Sequence, residues 1–195
     1  MKSPHHLLAV LICLGAALLS GCAPRMLAPD EEAVQRSAAA HFEVEGRIAA
    51  SDGNQAANGR MHWEHAPARD VGTLFSPLGQ IVARMERTAE GAHLRTADGQ
   101  LVEAADADTL MPRLLGVPAP LAALPRWLQA ATPEPPGRVL GVDAHGRPAR
   151  ISDHGWIIDY PEYADDQPQA LPRRIDARWG EARLRIVIDT WTFPE

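Results

Sequence analysis

The sequence predicts a mainly β domain, an antiparallel meander that carries a small number of short helices. Three observations predict this class. Apolar and charged residues alternate along several segments, which is typical of strands with one dry and one wet face. Turn-forming pairs such as Asp98-Gly99 and His145-Gly146 separate these segments at hairpin spacing. The chain has no glycine-rich phosphate loop and no regular alternation of strands with long helices, so a parallel sheet is not expected.

Residues 1–21 have the layout of a secretory signal peptide. A short, weakly basic start precedes an almost wholly apolar run from Leu7 to Leu19, and small residues follow it. The run is short for a membrane span, which needs about 20 apolar residues. Leu19-Ser20-Gly21-Cys22 is similar to the lipobox of bacterial lipoproteins, which implies cleavage before Cys22 and lipids on its sulfur and its amine. The alternative is an ordinary signal peptide in which Cys22 is incidental.

Residues 22–40 are predicted to form a lipidated tether and an N-terminal helix. The segment from Ala23 to Pro29 contains two prolines and is expected to be a linker. Asp30-Glu31-Glu32 then opens a helix-like run through Ala40, with acidic residues where the positive end of a helix dipole would lie. The folded domain is therefore expected to comprise residues 41–195.

From His41 onward the period of the apolar residues changes from helical to two. Even positions from Phe42 to Ile48 are apolar or small, and odd positions are charged. The same alternation returns around Met61 and Trp63, from Ile81 to Met85, and from Leu184 to Ile188. These apolar residues should share one face of the sheet, because alternate residues of a strand point to the same side.

Two short helices are predicted within the strand series, from Asp106 to Gly116 and from Pro120 to Ala131. Asp106, Asp108 or Thr109 is placed to cap the first helix, and Gly116 is placed to end it. In the second, apolar residues recur at helical spacing, and Pro125 is expected to split the helix or delay its start. Each helix is expected to run for roughly three turns and to cover part of the sheet.

Composition and charge exclude several classes of partner. The formal net charge of −6 over 195 residues argues against nucleic acid. It also argues against docking on anionic lipid through a basic patch, since the arginines are scattered along the chain. Both cysteines lie in the first 22 residues, so no disulfide framework is expected in the domain. The length predicts a single domain that is stabilised by packing.

The sequence lacks the usual arrangements of catalytic or metal-binding side chains. No Gly-x-Ser-x-Gly elbow occurs. His62 and His65 would point to opposite faces of a strand and cannot share one metal ion. Asp153, His154 and Tyr160 come nearest to a catalytic set, but an enzyme is the less favoured interpretation. We therefore expect no catalysis, no cofactor and no metal site.

The apolar face of the sheet leaves a choice between a cavity and a packed core. A strongly curved sheet under a small lid leaves interior space, and a dry apolar cavity suits an alkyl chain. A sheet packed tightly on its helices is the alternative that the pattern leaves open. The residues predicted to line a cavity are Trp63, Leu74, Ile81, Met85, Leu121, Leu124, Trp127, Leu128 and Ile186.

The segment Leu74-Phe75-Ser76-Pro77-Leu78-Gly79 lies between two strand patterns. Pro77 and Gly79 favour a turn, which would display Leu78 at the tip of a loop. A single exposed leucine usually carries no function. On a chain tethered to a membrane, insertion of Leu78 into lipid or against a bound acyl chain is the functional alternative.

The order and spacing of these segments resemble the LolB family, the outer-membrane receptors of the lipoprotein localisation pathway. The resemblance spans nearly the whole mature chain. It rests on Phe42…Gly46-Arg47, Trp63, Pro77-Leu78-Gly79, Asp98-Gly99, Leu114-x-Gly116-x-Pro118-x-Pro120-Leu121, Leu124…Trp127-Leu128, Gly155-Trp156-x-Ile158-x-Tyr160…Tyr163, Leu171-Pro172 and Leu184-x-Ile186…Trp191.

The resemblance implies an open half-barrel of about eleven antiparallel strands, with a helical lid over a hydrophobic cavity for acyl chains. It implies that Leu78, in the turn with Pro77 and Gly79, inserts into the membrane. It also implies a monomer whose partners are a LolA-like periplasmic carrier, acylated lipoprotein cargo and outer-membrane lipid, working without an energy source. Because Ala23 rather than aspartate follows Cys22, it implies attachment to the periplasmic face of the outer membrane. Pro125 departs from the usual lid sequence of the family.

An interpretation from another class stays open. A structural lipoprotein of an envelope assembly complex, with a packed core and a protein–protein role, would show the same strand pattern. Saturable binding of an acyl chain would separate the two.

Overall fold

Residues 24–27 and 35–194 are described by the structure, a computed structural model. They form the strands β1 (Arg25–Met26), β2 (Phe42–Ser51), β3 (Ala56–Ala66), β4 (Arg69–Phe75), β5 (Ile81–Arg87), β6 (Ala92–Thr96), β7 (Leu101–Ala104), β8 (Arg138–Val142), β9 (Pro148–Asp153), β10 (Trp156–Tyr163), β11 (Pro172–Trp179) and β12 (Ala182–Thr192). A 3₁₀ turn at Ala107–Thr109 precedes the two α-helices, α1 (Met111–Leu115) and α2 (Leu124–Leu128).

The strands belong to one antiparallel sheet with the order β1-β8-β9-β10-β11-β12-β2-β3-β4-β5-β6-β7. Within the described residues the sheet is open, because its end strands β1 and β7 do not pair with each other. The predicted mainly β, open antiparallel class is therefore confirmed. The sheet has twelve strands rather than about eleven, since residues 25–26 of the predicted tether pair with β8.

Strand β2 shows why the alternating pattern produces this sheet. Its residues alternate without a break between buried and exposed, with Phe42, Val44 and Ile48 buried. These side chains point toward α1 and α2. We call this side of the sheet the covered face and the opposite side the outer face. Pairing of β2 with β12 joins the two halves of the chain in mid-sheet, with Ile48 opposite Ile186.

The two helices lie where they are predicted but are shorter than expected. Each spans five residues rather than about three turns. Gly116 ends α1 with φ of 76°, a left-handed conformation that glycine adopts without strain. Pro112 and Pro125 both lie in the first turn of their helices, where a missing N–H costs little. Pro125 therefore delays the second helix rather than splitting it.

The predicted N-terminal helix is not found in the part of it that the structure describes. Residues 30–34 lie outside the described residues, and residues 35–40 are not helical. Their polar groups bond to the segment after α2. Arg36 N donates to Thr132 Oγ1 at 2.9 Å, and Ala39 N donates to Gln129 Oε1 at 2.8 Å. These long-range bonds favour a non-helical backbone, because a helix would turn the same groups toward its own carbonyls.

The hydrophobic core lies between the covered face and the lid segment. Side chains of both parts are fully buried in it, among them Phe42, Leu94, Trp127, Leu128 and Ile158. Within residues 24–27 and 35–194, none of the helices is long and apolar enough to cross a membrane.

Candidate functional site

An apolar pocket of about 50 Å³ lies between the covered face and α1. A second space of about 70 Å³ adjoins it, because Ile48, Leu74, Leu114 and Leu115 line both. Leu114 of α1 is only half-buried and therefore stands between the two spaces and solvent. The core is thus nearly filled, but a narrow apolar slot follows the underside of α1.

Most of the residues predicted to line a cavity do line the first pocket. Those in its wall are Trp63, Leu74, Met85, Leu121, Leu124 and Ile186. Trp127 and Leu128 line neither space and are buried in the core instead. Their burial follows from the short α2, which directs these side chains into the sheet.

The prediction for Ile81 is wrong. Its side chain is 55% exposed, and it lines neither space. A β-bulge explains this position, because Leu74 pairs with Ala83 while the next residue, Phe75, pairs with Ile81. The extra residue, Val82, shifts the alternation by one and turns Ile81 to the outer face.

Sequence reasoning missed the contribution of α1 to the pocket. Met111, Leu114 and Leu115 all line it, as does Gly72 of β4. The spacing of Met111, Leu114 and Leu115 is the helical period and was available as a signal. No signal in the sequence pointed to Gly72, because only the pairing of β4 with its neighbours places this residue between Trp63 and Met85.

A buried carboxylate holds the wall of the pocket in place. Asp70 is 3% exposed and accepts hydrogen bonds from Trp63 Nε1 at 3.0 Å and from Arg87 Nε. Nδ1 of His65 lies 2.6 Å from the same carboxylate. Burial alone would raise the pKa of Asp70, but the hydrogen bonds from His65 and Arg87 outweigh it and lower that pKa. Trp63 is therefore held by an ionised group.

A second buried carboxylate fastens α2 to the sheet. Asp153, at the end of β9, accepts a hydrogen bond from Trp127 Nε1 at 2.8 Å. Arg126 NH2 lies 3.7 Å from the same carboxylate, and Gln129 bonds to Ala39. By contrast, the described residues show no hydrogen bond or ion pair between α1 and the sheet. The part of the lid over the pocket is thus held by apolar contacts alone.

The loop between β4 and β5 displays Leu78 to solvent. Gly79 N donates to Ser76 O at 2.9 Å, and Ser76 N donates to Gln80 O at 2.8 Å, which closes a tight turn. Gly79 has φ of 82°, a value that favours glycine. Leu78 is 89% exposed at the tip, as the turn residues predict.

A family model described as Outer membrane lipoprotein LolB matches residues 40–191. The chain belongs to the LolB family. The outer-membrane lipoprotein LolB of Azoarcus sp. (strain BH72) is 46% identical over 98% of both chains. That of Dechloromonas aromatica (strain RCB) is 36% identical over 92% of this chain and 95% of its own. A crystal structure of a LolA superfamily protein from Nitrosomonas europaea matches with a TM-score of 0.49 and 10% identity, covering 80% of this chain and 86% of that chain.

Membership of the LolB family confirms the resemblance and makes this chain an outer-membrane lipoprotein. The pocket under α1 and the Leu78 loop are therefore features of a protein on a membrane. Cys22, the predicted lipidation site, lies outside the described residues. Its acylation stays a prediction from the sequence.

Proposed function

We propose that this LolB-family protein accepts acylated lipoproteins from a LolA-like periplasmic carrier and delivers them into the outer membrane. Lipids on Cys22 anchor it to the periplasmic face. The observation that carries the proposal is the apolar slot under α1, whose wall includes Trp63, Met85 and Leu121. Each methylene that leaves water for such a surface is stabilised by about 0.8 kcal/mol.

The slot must widen to hold cargo. A lipoprotein with three acyl chains carries about forty methylenes or more, which hold it in a membrane by tens of kcal/mol. The two spaces measure about 50 and about 70 Å³, while a cavity of about 150 Å³ holds one benzene molecule. Loading therefore requires α1 to move off the covered face, while the anchors at Asp153 and Gln129 keep α2 in place.

Movement of α1 and the direction of transfer need no energy source in this scheme. Incoming acyl chains replace the apolar contacts of Met111, Leu114 and Leu115 with contacts of the same kind. The cavity would bind acyl chains more favourably than the carrier does, and the bilayer more favourably still. Direction then follows from the order of affinities.

Replacing Leu78 by glutamate should slow delivery of a lipoprotein into liposomes by about thirtyfold or more. A carboxylate at the loop tip must be desolvated to enter lipid, at a cost of about 2–3 kcal/mol. Binding of a fluorescent acyl probe should not change, because Leu78 is 89% exposed and lines neither space. Liposome-transfer kinetics and probe titration measure the two effects separately.

Phe193→Glu provides a matched control. Phe193 is also exposed, at 44%, but it follows the last residue of β12, which pairs with the start of β2, whereas the Leu78 loop is near the other end of these strands. That variant should deliver cargo at the normal rate. Equal rates for the Leu78 variant and the unchanged protein would remove the loop from the mechanism.

The nearly filled core favours a second candidate, a structural lipoprotein of an envelope assembly complex. The same probe decides between the two. Saturable binding of the acyl probe supports the receptor, and its absence at all probe concentrations supports the structural role.

A further inference from the structure

The outer face of the sheet carries a groove directly beside the Leu78 loop. The groove has a volume of about 410 Å³, and its walls include Arg47, Arg60, Arg185, Asn58, Pro77 and Val187. No carboxylate lines it. Pro77 belongs to both the groove and the loop, so the two features are continuous.

The register of the strands brings arginines together in this groove, contrary to the expectation that arginines scattered along the chain form no basic patch. Arg47 lies directly opposite Arg60, an arrangement of like charges that destabilises a strand pair. Arg47 pairs with Asp189 at 3.0 Å, and Arg185 pairs with Asp176. Within residues 24–27 and 35–194, however, no carboxylate is within ion-pair distance of the exposed Arg60. The charge of Arg60 therefore stays uncompensated, although the formal net charge of the chain is −6.

The depth of the loop relative to the arginines suits a membrane surface. Arg60 pairs with Phe75, and Leu78 is three residues further along the chain. Three residues span at most about 10 Å. Apolar side chains of interfacial segments lie about 5–10 Å into the boundary between headgroups and acyl chains. A Leu78 at that depth leaves Arg60 at the level of the lipid phosphates.

We propose that this groove binds the phosphate of an anionic phospholipid headgroup while Leu78 enters the acyl region. Guanidinium groups suit this ligand because their paired N–H donors match phosphate oxygens. Ile81, 55% exposed at the start of β5, extends the apolar part of the contact. The inference rests on the proposed function, which orients the loop toward the membrane. It adds a preference for anionic phospholipid, which Leu78 alone cannot provide.

A bilayer fits this surface better than an acidic protein. The basic groove is adjacent to the loop that carries Leu78 at its tip. A bilayer likewise presents charged phosphate groups next to hydrocarbon. An acidic protein face would match the arginines but would leave Leu78, at 89% exposure, in water.

The test compares vesicle binding by Arg60→Gln with binding by Arg113→Gln. Every described element lies after residue 23, so the unacylated chain from Ala23 includes all of them and is used for the test. Arg113 is exposed on α1, over the covered face, and its replacement removes the same charge on the opposite side of the sheet. Co-sedimentation is measured with phosphatidylcholine vesicles and with vesicles that also contain phosphatidylglycerol. Thermal unfolding of each variant verifies its fold.

The unchanged chain should prefer vesicles with phosphatidylglycerol, and Arg60→Gln should weaken that binding about fivefold, the share of one basic residue near an anionic surface. Arg113→Gln should have no comparable effect. Equal losses in both variants would assign the preference to net charge and overturn the proposal. The proposal would also be overturned if the unchanged chain showed no preference for anionic vesicles, or if Arg60→Gln affected only the transfer of cargo from the carrier.

Failure of this inference is distinguishable from failure of the proposed function. Acyl-probe binding is measured on the same proteins. Intact probe binding without a preference for anionic lipid rejects the groove alone. A chain that binds anionic vesicles through Arg60 but never binds the probe rejects the acyl-chain cavity alone.

Discussion

Replacing Gly72 by phenylalanine is expected to block acyl-chain binding and leave the fold intact. Gly72 lines the pocket, and a Cβ at this position would meet no atom within 4 Å. Its register partners are Trp63 and Met85, so the new ring would lie in the space that hydrocarbon needs. A ring that displaces two or three methylenes should weaken binding by about 2 kcal/mol, which is about thirtyfold.

Titration with a fluorescent fatty-acyl probe measures this effect, and Gly72→Ala is the graded control. A single methyl group should reduce affinity by a few-fold at most. Thermal unfolding should show no loss of stability for Gly72→Ala, because the added methyl group meets no atom within 4 Å. The phenylalanine ring must push α1 outward as an acyl chain does, so Gly72→Phe should stay folded with a loss of about 1–3 kcal/mol. Unchanged probe affinity in a stably folded phenylalanine variant would show that acyl chains bind elsewhere.

Replacing Asp70 by alanine should lower the free energy of unfolding by about 3–5 kcal/mol, because it leaves buried donors without their partner. Arg87, His65 and Trp63 all bond to this one carboxylate. For a domain of this size, the loss corresponds to a fall in Tm of about 10 °C. An unchanged m-value in chemical denaturation would show that the free energy of unfolding has changed while the compactness of the folded and unfolded states has not.

Glu86→Ala is the matched control for this variant. Glu86 pairs with Arg69 across the same two strands, but on the exposed surface, with both side chains at least one third accessible. Such pairs contribute about 1 kcal/mol or less. A loss for Asp70→Ala as small as the loss for the control would contradict the role of the buried cluster.

Stability should also depend on pH through Asp70. Its pKa in the folded protein is lower than its ordinary value of 3.8, so the unfolded chain takes up a proton first as the pH falls. The contribution of Asp70 is therefore complete at neutral pH and is lost as the pH falls below about 4 toward the folded pKa. Denaturation curves at neutral and acidic pH should differ more for the unchanged protein than for Asp70→Ala.

Features that depend on neighbouring residues could be predicted from the chain alone. The alternation in β2 determined which residues face the core, and Gly116 determined where α1 ends. Pro77 and Gly79 determined the turn that exposes Leu78. Each of these outcomes follows from local backbone preferences or from a period of two, and no distant contact competes with it.

Local patterns failed where a distant contact decided the outcome. The acidic start at Asp30 favoured a helix through Ala40, but residues 35–40 are not helical, and Arg36 and Ala39 bond to the segment after α2 instead. The bulge at Val82 turned Ile81 outward, because the pairing of β4 with β5 sets that register.

The sequence by itself determined the faces of β2, the lid position and the exposed leucine, since each depends on residues close together in the chain. The order and spacing of such segments also indicated the LolB family. Only the tertiary structure decided how much space remains under α1, because that depends on how side chains of β2 to β5, β12 and the lid fill one volume. It also gathered Arg47, Arg60 and Arg185 into one groove. Arg185 is far from the other two in the chain, and the three meet because β2 pairs with both β3 and β12.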